Sequence, residues 1–199
     1  MFVTFEGLDG CGKTTQAELL AQHLRDAGRE VVSTREPGGT PLGERVRELV
    51  LGGGEPISGW AEAALFAAAR AELVERVIRP GLERGADVVC DRYLDSSLAY
   101  QGIARGLGVD RVLDLNLPAI GGLLPDVTFL LEVDADEAAR RSGDERDRIE
   151  REAGSFHAAV AEAYHELAGA FPRRVVALDG TLPPETLAET IRGRVRDLR

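Results

Sequence analysis

The tightest constraint on this chain is the run Gly7-Leu8-Asp9-Gly10-Cys11-Gly12-Lys13-Thr14, which fits G-x-x-x-x-G-K-[ST] at every position. It follows the apolar segment Phe2-Val3-Thr4-Phe5 and precedes an amphipathic stretch, so it predicts a strand, a glycine-rich loop and a helix start. Glycines let the backbone N–H groups of such a loop curl around a phosphate, and the helix N-terminus adds partial positive charge. In this pattern Lys13 gives a compact charge to the β- and γ-phosphates, and Thr14 a hydroxyl for Mg²⁺. Lys13 is the single lysine among 24 Lys and Arg, so a chain that uses arginine everywhere else keeps lysine here. The predicted nucleoside triphosphate site runs Gly7, Leu8, Asp9, Gly10, Cys11, Gly12, Lys13, Thr14 and Thr15.

The rest of the chain alternates strand-length apolar runs with longer amphipathic ones. Strands are predicted at 1–6, 30–34, 86–91, 127–133 and 175–179, and helices at 14–27, 42–51, 60–84, 96–107, 134–141, 148–170 and 184–198. That alternation predicts an α/β fold with a five-stranded parallel sheet covered by helices on both faces. At 199 residues the chain fits one domain, 1–199, with a charged insert at about 140–148 that holds little to bury. The longest uninterrupted apolar run, Ala63 to Ala69, is too short to span a bilayer. No basic leader precedes Phe2, and two cysteines make neither a disulfide framework nor a zinc site. A cytoplasmic protein is therefore expected. A net charge of −10 argues against a nucleic-acid partner, which needs clustered positive charge.

A phosphate loop does not by itself choose between kinase, GTPase and motor. An Asn-Lys-x-Asp guanine signature is excluded by the lack of a second lysine, and the length does not fit the larger motors. A small-molecule kinase remains, and its second substrate has to sit opposite the γ-phosphate. Asp91-Arg92-Tyr93 and Arg35-Glu36-Pro37-Gly38-Gly39-Thr40 both fall where predicted strands end, the edge at which open α/β sheets bind ligands. Phe66 and Arg70, four apart, share one helix face, an arrangement suited to stacking a base and hydrogen-bonding its edge.

Taken in order, Phe5-Glu6-Gly7-Leu8-Asp9-Gly10-Cys11-Gly12-Lys13-Thr14-Thr15, Thr34-Arg35-Glu36-Pro37-Gly38-Gly39-Thr40, Leu65-Phe66-Ala67-Ala68-Ala69-Arg70-Ala71-Glu72, the run Asp91 to Gly102 and Asp147-Arg148-Ile149-Glu150 resemble the bacterial thymidylate kinase family, over residues 1 to about 167. The resemblance implies a P-loop kinase that passes the γ-phosphate of ATP to dTMP, with Mg²⁺, as a homodimer; the long helix at 60–84 has apolar positions beyond those needed for Phe66 and Arg70 and is expected to contribute to the interface. It implies that Phe66 stacks on thymine, and that Arg70 and Gln101, with Ser97 beside them, read its edge. Arg92 bridges the acceptor phosphate and the transferring group, while Arg35 and Arg47 hold the dTMP phosphate. Asp9 sits near the acceptor's sugar and phosphate, Tyr100 crowds the 2′ position, Glu36 orders the pocket or its water, and Asp91 reaches the metal through water. The alternatives are another nucleoside or deoxynucleoside monophosphate kinase, and a nucleotide-binding sensor without transfer.

In this family a mobile arginine comes either from the phosphate loop or from the lid. Position 10 is glycine, so the resemblance puts it in the lid, among Arg140, Arg141, Arg146 and Arg148. Arg141 and Arg146 are the expected catalytic pair, with Arg148 packing near the nucleotide or bracing the lid. The segment departs from the family pattern in being short and in carrying Asp144 and Glu145.

Overall fold

The structure, a computed structural model, describes residues 1–53, 55–143 and 147–198. Five strands, β1 (Phe2–Glu6), β2 (Val31–Arg35), β3 (Asp87–Asp91), β4 (Val127–Glu132) and β5 (Val175–Asp179), form one parallel sheet in the order β2-β3-β1-β4-β5. The three central strands are almost wholly buried, as befits a parallel sheet whose crossover helices cover both faces.

Side chains alternate between two cores with the two-residue period of a strand. Val3, Phe5, Val89 and Phe129 meet Leu20 and Leu24 of α1 (Lys13–Asp26) and Ile191 and Val195 of α9 (Pro184–Asp197). Phe2, Val88, Cys90 and Leu130 point the other way. There they meet Leu73 of α3 (Gly59–Leu73), Tyr93, Leu98, and Val160 and Tyr164 of α8 (Gly154–Ala170). Thr4 and Glu6 lie on this second face too and are fully buried.

Between α1 and α3, Thr40 caps α2 (Pro41–Leu51) by accepting from the Gly43 amide at 2.9 Å, with Pro41 preset at the first turn. The helix predicted at 60–84 is α3, a π-helical turn Val74–Ile78 and α4 (Arg79–Glu83) in succession. Pro80 lacks an N–H and its ring collides with the carbonyl four residues back, so the wider turn before it lets the column continue. The stretch predicted at 96–107 is a short α5 (Leu94–Ser97) running into a π-helical segment, Leu98–Ala104. The pattern at 148–170 becomes helical only at Gly154. Before it, Asp147 accepts from the amides of Ile149 and Glu150 and closes a separate turn. One helix, α6 (Val109–Ala119), was not predicted; Val112, Leu113, Asn116 and Leu117 give it a helical spacing, with Gly108 before its first turn and Pro118 in its last. The remaining helix, α7 (Ala135–Arg141), is capped by Asp134 and ends just before the residues left undescribed.

Pairing of Phe5 with Asp91 sets the C-terminal ends of β1 and β3 side by side. The loop after β1 and the turn after β3 therefore open onto one cleft.

Candidate active site

The loop after β1 turns on Gly10 and Gly12, at φ 82° and 98°, values that an L side chain resists. Gly12 is the residue before α1, and no side chain caps that helix, so its first-turn N–H groups are left for an outside acceptor. Lys13 is buried inside the loop and donates to the Leu8 carbonyl at 2.7 Å, with Asp9 Oδ1 at 3.7 Å. Leu8 and Cys11 pack inward as buried anchors of the loop, whereas Thr14 and Thr15 are exposed. Thr14 Oγ1 donates to Asp91 Oδ2 at 2.5 Å, which puts a hydroxyl and a carboxylate on the floor of the cleft. Among the described residues no three His, Cys, Asp or Glu side chains are grouped to hold a metal. The Thr14–Asp91 pair supplies hard oxygen donors of the kind Mg²⁺ takes when phosphates and water complete its shell.

Arg92 stands at the centre. Its φ of 68° is left-handed, rare for a residue with a side chain, and it aims the guanidinium back over the loop. Nη1 donates to the Gly7 carbonyl (3.0 Å), Ser96 Oγ (3.1 Å) and the Tyr164 hydroxyl (3.2 Å), and Nη2 to Asp9 Oδ1 (2.6 Å). Burial works against ionisation of Asp9, but the charges of Arg92 and Lys13 outweigh it and hold the carboxyl well below the usual range. Glu6, fully buried below, accepts from the Tyr93 and Ser96 amides, Ser96 Oγ and the Tyr164 hydroxyl. Glu6, Ser96 and Tyr164 thus form the floor on which Arg92 rests. Nothing in the linear pattern marked them, because their roles arise from contacts spanning up to 158 residues.

Beyond Arg92 lies a cavity lined by Glu36, Arg47, Phe66, Ser97, Tyr100 and Gln101, together with Asp9 and Arg92 themselves. Tyr100 and Gln101 are consecutive, yet both line it, because the π-helical segment that carries them turns less per residue than an α-helix. Arg70 stands behind this wall, fully buried. It contacts Glu36 Oε2 at 2.7 Å, Asn116 Oδ1, and the Tyr93 carbonyl at 3.1 Å. Asn116 comes from the unpredicted α6 and is itself fixed by donating to the Val112 carbonyl. Burial pushes the Glu36 carboxyl up to about 7, against the pull of Arg70. Two buried atoms on this wall, Glu36 Oε1 and Ser97 Oγ, have no hydrogen-bond partner among the described residues, so polar capacity remains for a ligand.

The other predicted positions divide. Arg47 donates to the Pro37 carbonyl at 3.1 Å and borders both cavities, and Arg35 pairs with Glu44 at 3.3 Å on the outer side of the cleft. Arg141 lines the cleft beside the phosphate loop, with its guanidinium on Glu137 and the Gly180 carbonyl; Arg140 is exposed and paired with Glu137. Arg148 is not at the phosphate loop. It donates to the Val50 carbonyl at 2.7 Å and to Glu62, on the far side of the acceptor cavity. Arg146 lies outside the described residues.

Comparisons with known proteins identify the family. The sequence model of the family described as thymidylate kinase matches residues 5–191. A thymidylate kinase of Leifsonia xyli is 51% identical over 198 residues, 98% of this chain and 94% of the relative. One from Clavibacter sepedonicus is 49% identical over 201 residues, covering 100% and 95%. A crystal structure of thymidylate kinase from Ehrlichia chaffeensis superposes with a TM-score of 0.80 at 34% identity, over 98% of this chain and 97% of that one.

Proposed function

This chain belongs to the thymidylate kinase family and phosphorylates dTMP with ATP as donor, and from that premise we propose how its residues share the work. The observation that carries the assignment is that the two cavities share Asp9, Glu36, Arg47 and Arg92, so a donor held by the phosphate loop and an acceptor held by the inner wall meet at Arg92.

Phosphoryl transfer asks little covalent work of a protein; it asks for in-line positioning and charge stabilisation. The loop 7–15 holds the triphosphate, with Lys13 on the β- and γ-phosphates. Thr14 and Asp91 would hold Mg²⁺, which would neutralise charge on the phosphate oxygens. Arg92 spans the transferring group and the acceptor phosphate, fixed by Asp9 on one side and by Ser96 and Tyr164 on the other. Arg47 and Arg35 add positive charge at the acceptor phosphate. Phe66 stacks on thymine, Ser97 and Gln101 meet its edge, Tyr100 borders the sugar, and Arg70, braced by Glu36, backs them from behind the wall. Arg141 and Arg146 stand as the lid's arginines, while Arg148 braces the acceptor wall through Glu62. A cytoplasmic setting and a homodimer complete the reading. The dimer is supported by exposed Trp60, Ala61, Ala64 and Ala68, which line one face of α3.

The test is ADP release with ATP and Mg²⁺ over dTMP, dUMP, UMP, CMP, AMP and thymidine. Fast turnover on dTMP with dUMP trailing supports the residue roles, since one methyl in a pocket is worth only about 1–3 kcal/mol. Preference for another monophosphate overturns Phe66, Arg70 and Gln101 as the thymine site.

A further inference from the structure

Glu62 is 1% exposed and lies on α3 directly behind Gln101. Its Oε1 accepts from Gln101 Nε2 at 2.9 Å. The rest of the carboxylate is taken by two cations: Arg105, with Nε on Oε1 and Nη2 on Oε2, both at 3.3 Å, and Arg148, with Nη2 on Oε2. Both cations are themselves fixed. Arg105 pairs with Glu152 at 2.6 Å and lies over the Phe156 ring, and Arg148 also donates to the Val50 carbonyl. Burial opposes the charge on Glu62, but the hydrogen bonds from Arg148, Gln101 and Arg105 hold its carboxyl below the ordinary range. An ionised carboxylate only accepts, so the end of the Gln101 amide that faces it has to be the NH₂ group. The carbonyl Oε1 is left for the cavity that Gln101 lines.

We propose that Glu62 is a positioning residue for base selectivity: it locks the Gln101 amide with its carbonyl toward the base, so the pocket accepts an N3–H donor and rejects a base whose N3 is an acceptor. Thymine and uracil present that N–H, whereas cytosine presents a lone pair. The inference rests on the assignment of Gln101 to the base edge. The lock is a polarity filter set one layer behind the cavity, and it does not act on the transferring phosphoryl group.

Glu62→Gln tests it with little change of shape. A neutral amide at 62 has one acceptor, which the two arginines claim, so its NH₂ turns toward Gln101 and the Gln101 amide reverses. The expected result is a rise in KM for dTMP of about tenfold or more with kcat within about threefold. The preference for dTMP over dCMP in kcat/KM falls by about tenfold or more. In a Gln101→Met background the same change at 62 no longer alters the preference, because the lever is gone. Unchanged KM and preference in Glu62→Gln, parallel loss of both acceptors, or an equal effect in the Gln101→Met background each overturn the proposal. Should Glu62→Gln fail to fold, Glu62→Asp carries the same test, since it keeps the charge and draws the carboxylate away from Gln101. A Gln101→Met enzyme with wild-type KM for dTMP refutes the assignment of Gln101 to the base. A raised KM there, with Glu62→Gln silent in the otherwise wild-type enzyme, refutes only the lock.

Discussion

Arg92 shows how much one residue can be asked to do. Its guanidinium reaches a backbone carbonyl, three hydroxyls (Ser96, Tyr164 and Tyr100) and a carboxylate at once, which its planar fork allows and a lysine's single ammonium does not. Arg92→Lys keeps the charge and loses the span, so kcat falls by about 10²–10³ while ATP affinity stays within about threefold; steady-state kinetics with equilibrium nucleotide binding check it. Glu36 gives a prediction of opposite kind. Its folded pKa, raised by burial to about 7 from 4.5, means that the folded chain keeps a proton which the unfolded chain releases between those values. Stability therefore falls as pH rises through that window, and the full cost is present above about pH 7. Asp9 runs the other way: its depressed pKa adds stability that is lost as pH drops below the ordinary carboxylate range. Glu36→Gln flattens the decline between about pH 5 and 7 by on the order of 1–3 kcal/mol in urea unfolding, and a slope equal to wild type refutes the assignment.

Among the elements, α7 packs closely on the phosphate loop. A Cβ placed on Gly10 would stand 2.4 Å from the Ala138 carbonyl and 3.1 Å from Arg141 Cβ, at a φ of 82°. The helix that carries Arg141 sits on the loop with no room for one methyl group. Gly10→Ala has to push α7 away or distort the loop, so KM for ATP rises by about tenfold or more with a smaller change in KM for dTMP. Equal KM values for ATP would show that the two elements slide freely. The loop and its flanking strand and helix were legible in the sequence, because glycine positions and strand–helix spacing are local rules. So were all five strands, whose apolar runs stand out in a parallel sheet. The π-helical segment was not, since a widened turn leaves the apolar spacing of 94–104 close to that of an α-helix. Asn116, Glu62, Ser96 and Tyr164 were missed as site residues for a related reason: each is defined by a partner brought close only by the fold. Arg148, counted among the lid arginines, was expected to pack near the nucleotide or brace the lid. Its backbone amide bonds the Leu51 carbonyl and turns it toward Glu62 instead.

For the whole molecule, the open question is what covers α3. Its inner face carries Glu62, Phe66 and Arg70, so the helix is already committed to the acceptor wall. Its outer face exposes Ala61, Ala64 and Ala68 at helical spacing beside Trp60, which is 39% exposed and has the Arg111 guanidinium 4.6 Å from its ring centre. Small side chains in a line let a second helix approach closely, and the flanking aromatic adds area, which is what a twofold self-contact needs. If two copies meet here, each subunit stiffens the helix that forms its neighbour's acceptor wall as well as its own. Ala64→Arg places a charge at the centre of that line without touching the inner face. The wild-type chain should then elute with the mass of a dimer in light-scattering chromatography, and Ala64→Arg with that of a monomer. KM for dTMP should rise severalfold in the variant as α3 loses its support, with ATP affinity unchanged, because the phosphate loop lies on the other side of Arg92. A variant that keeps the dimer mass would move the interface off this face, and a monomer with wild-type KM would show that α3 holds the acceptor wall without help.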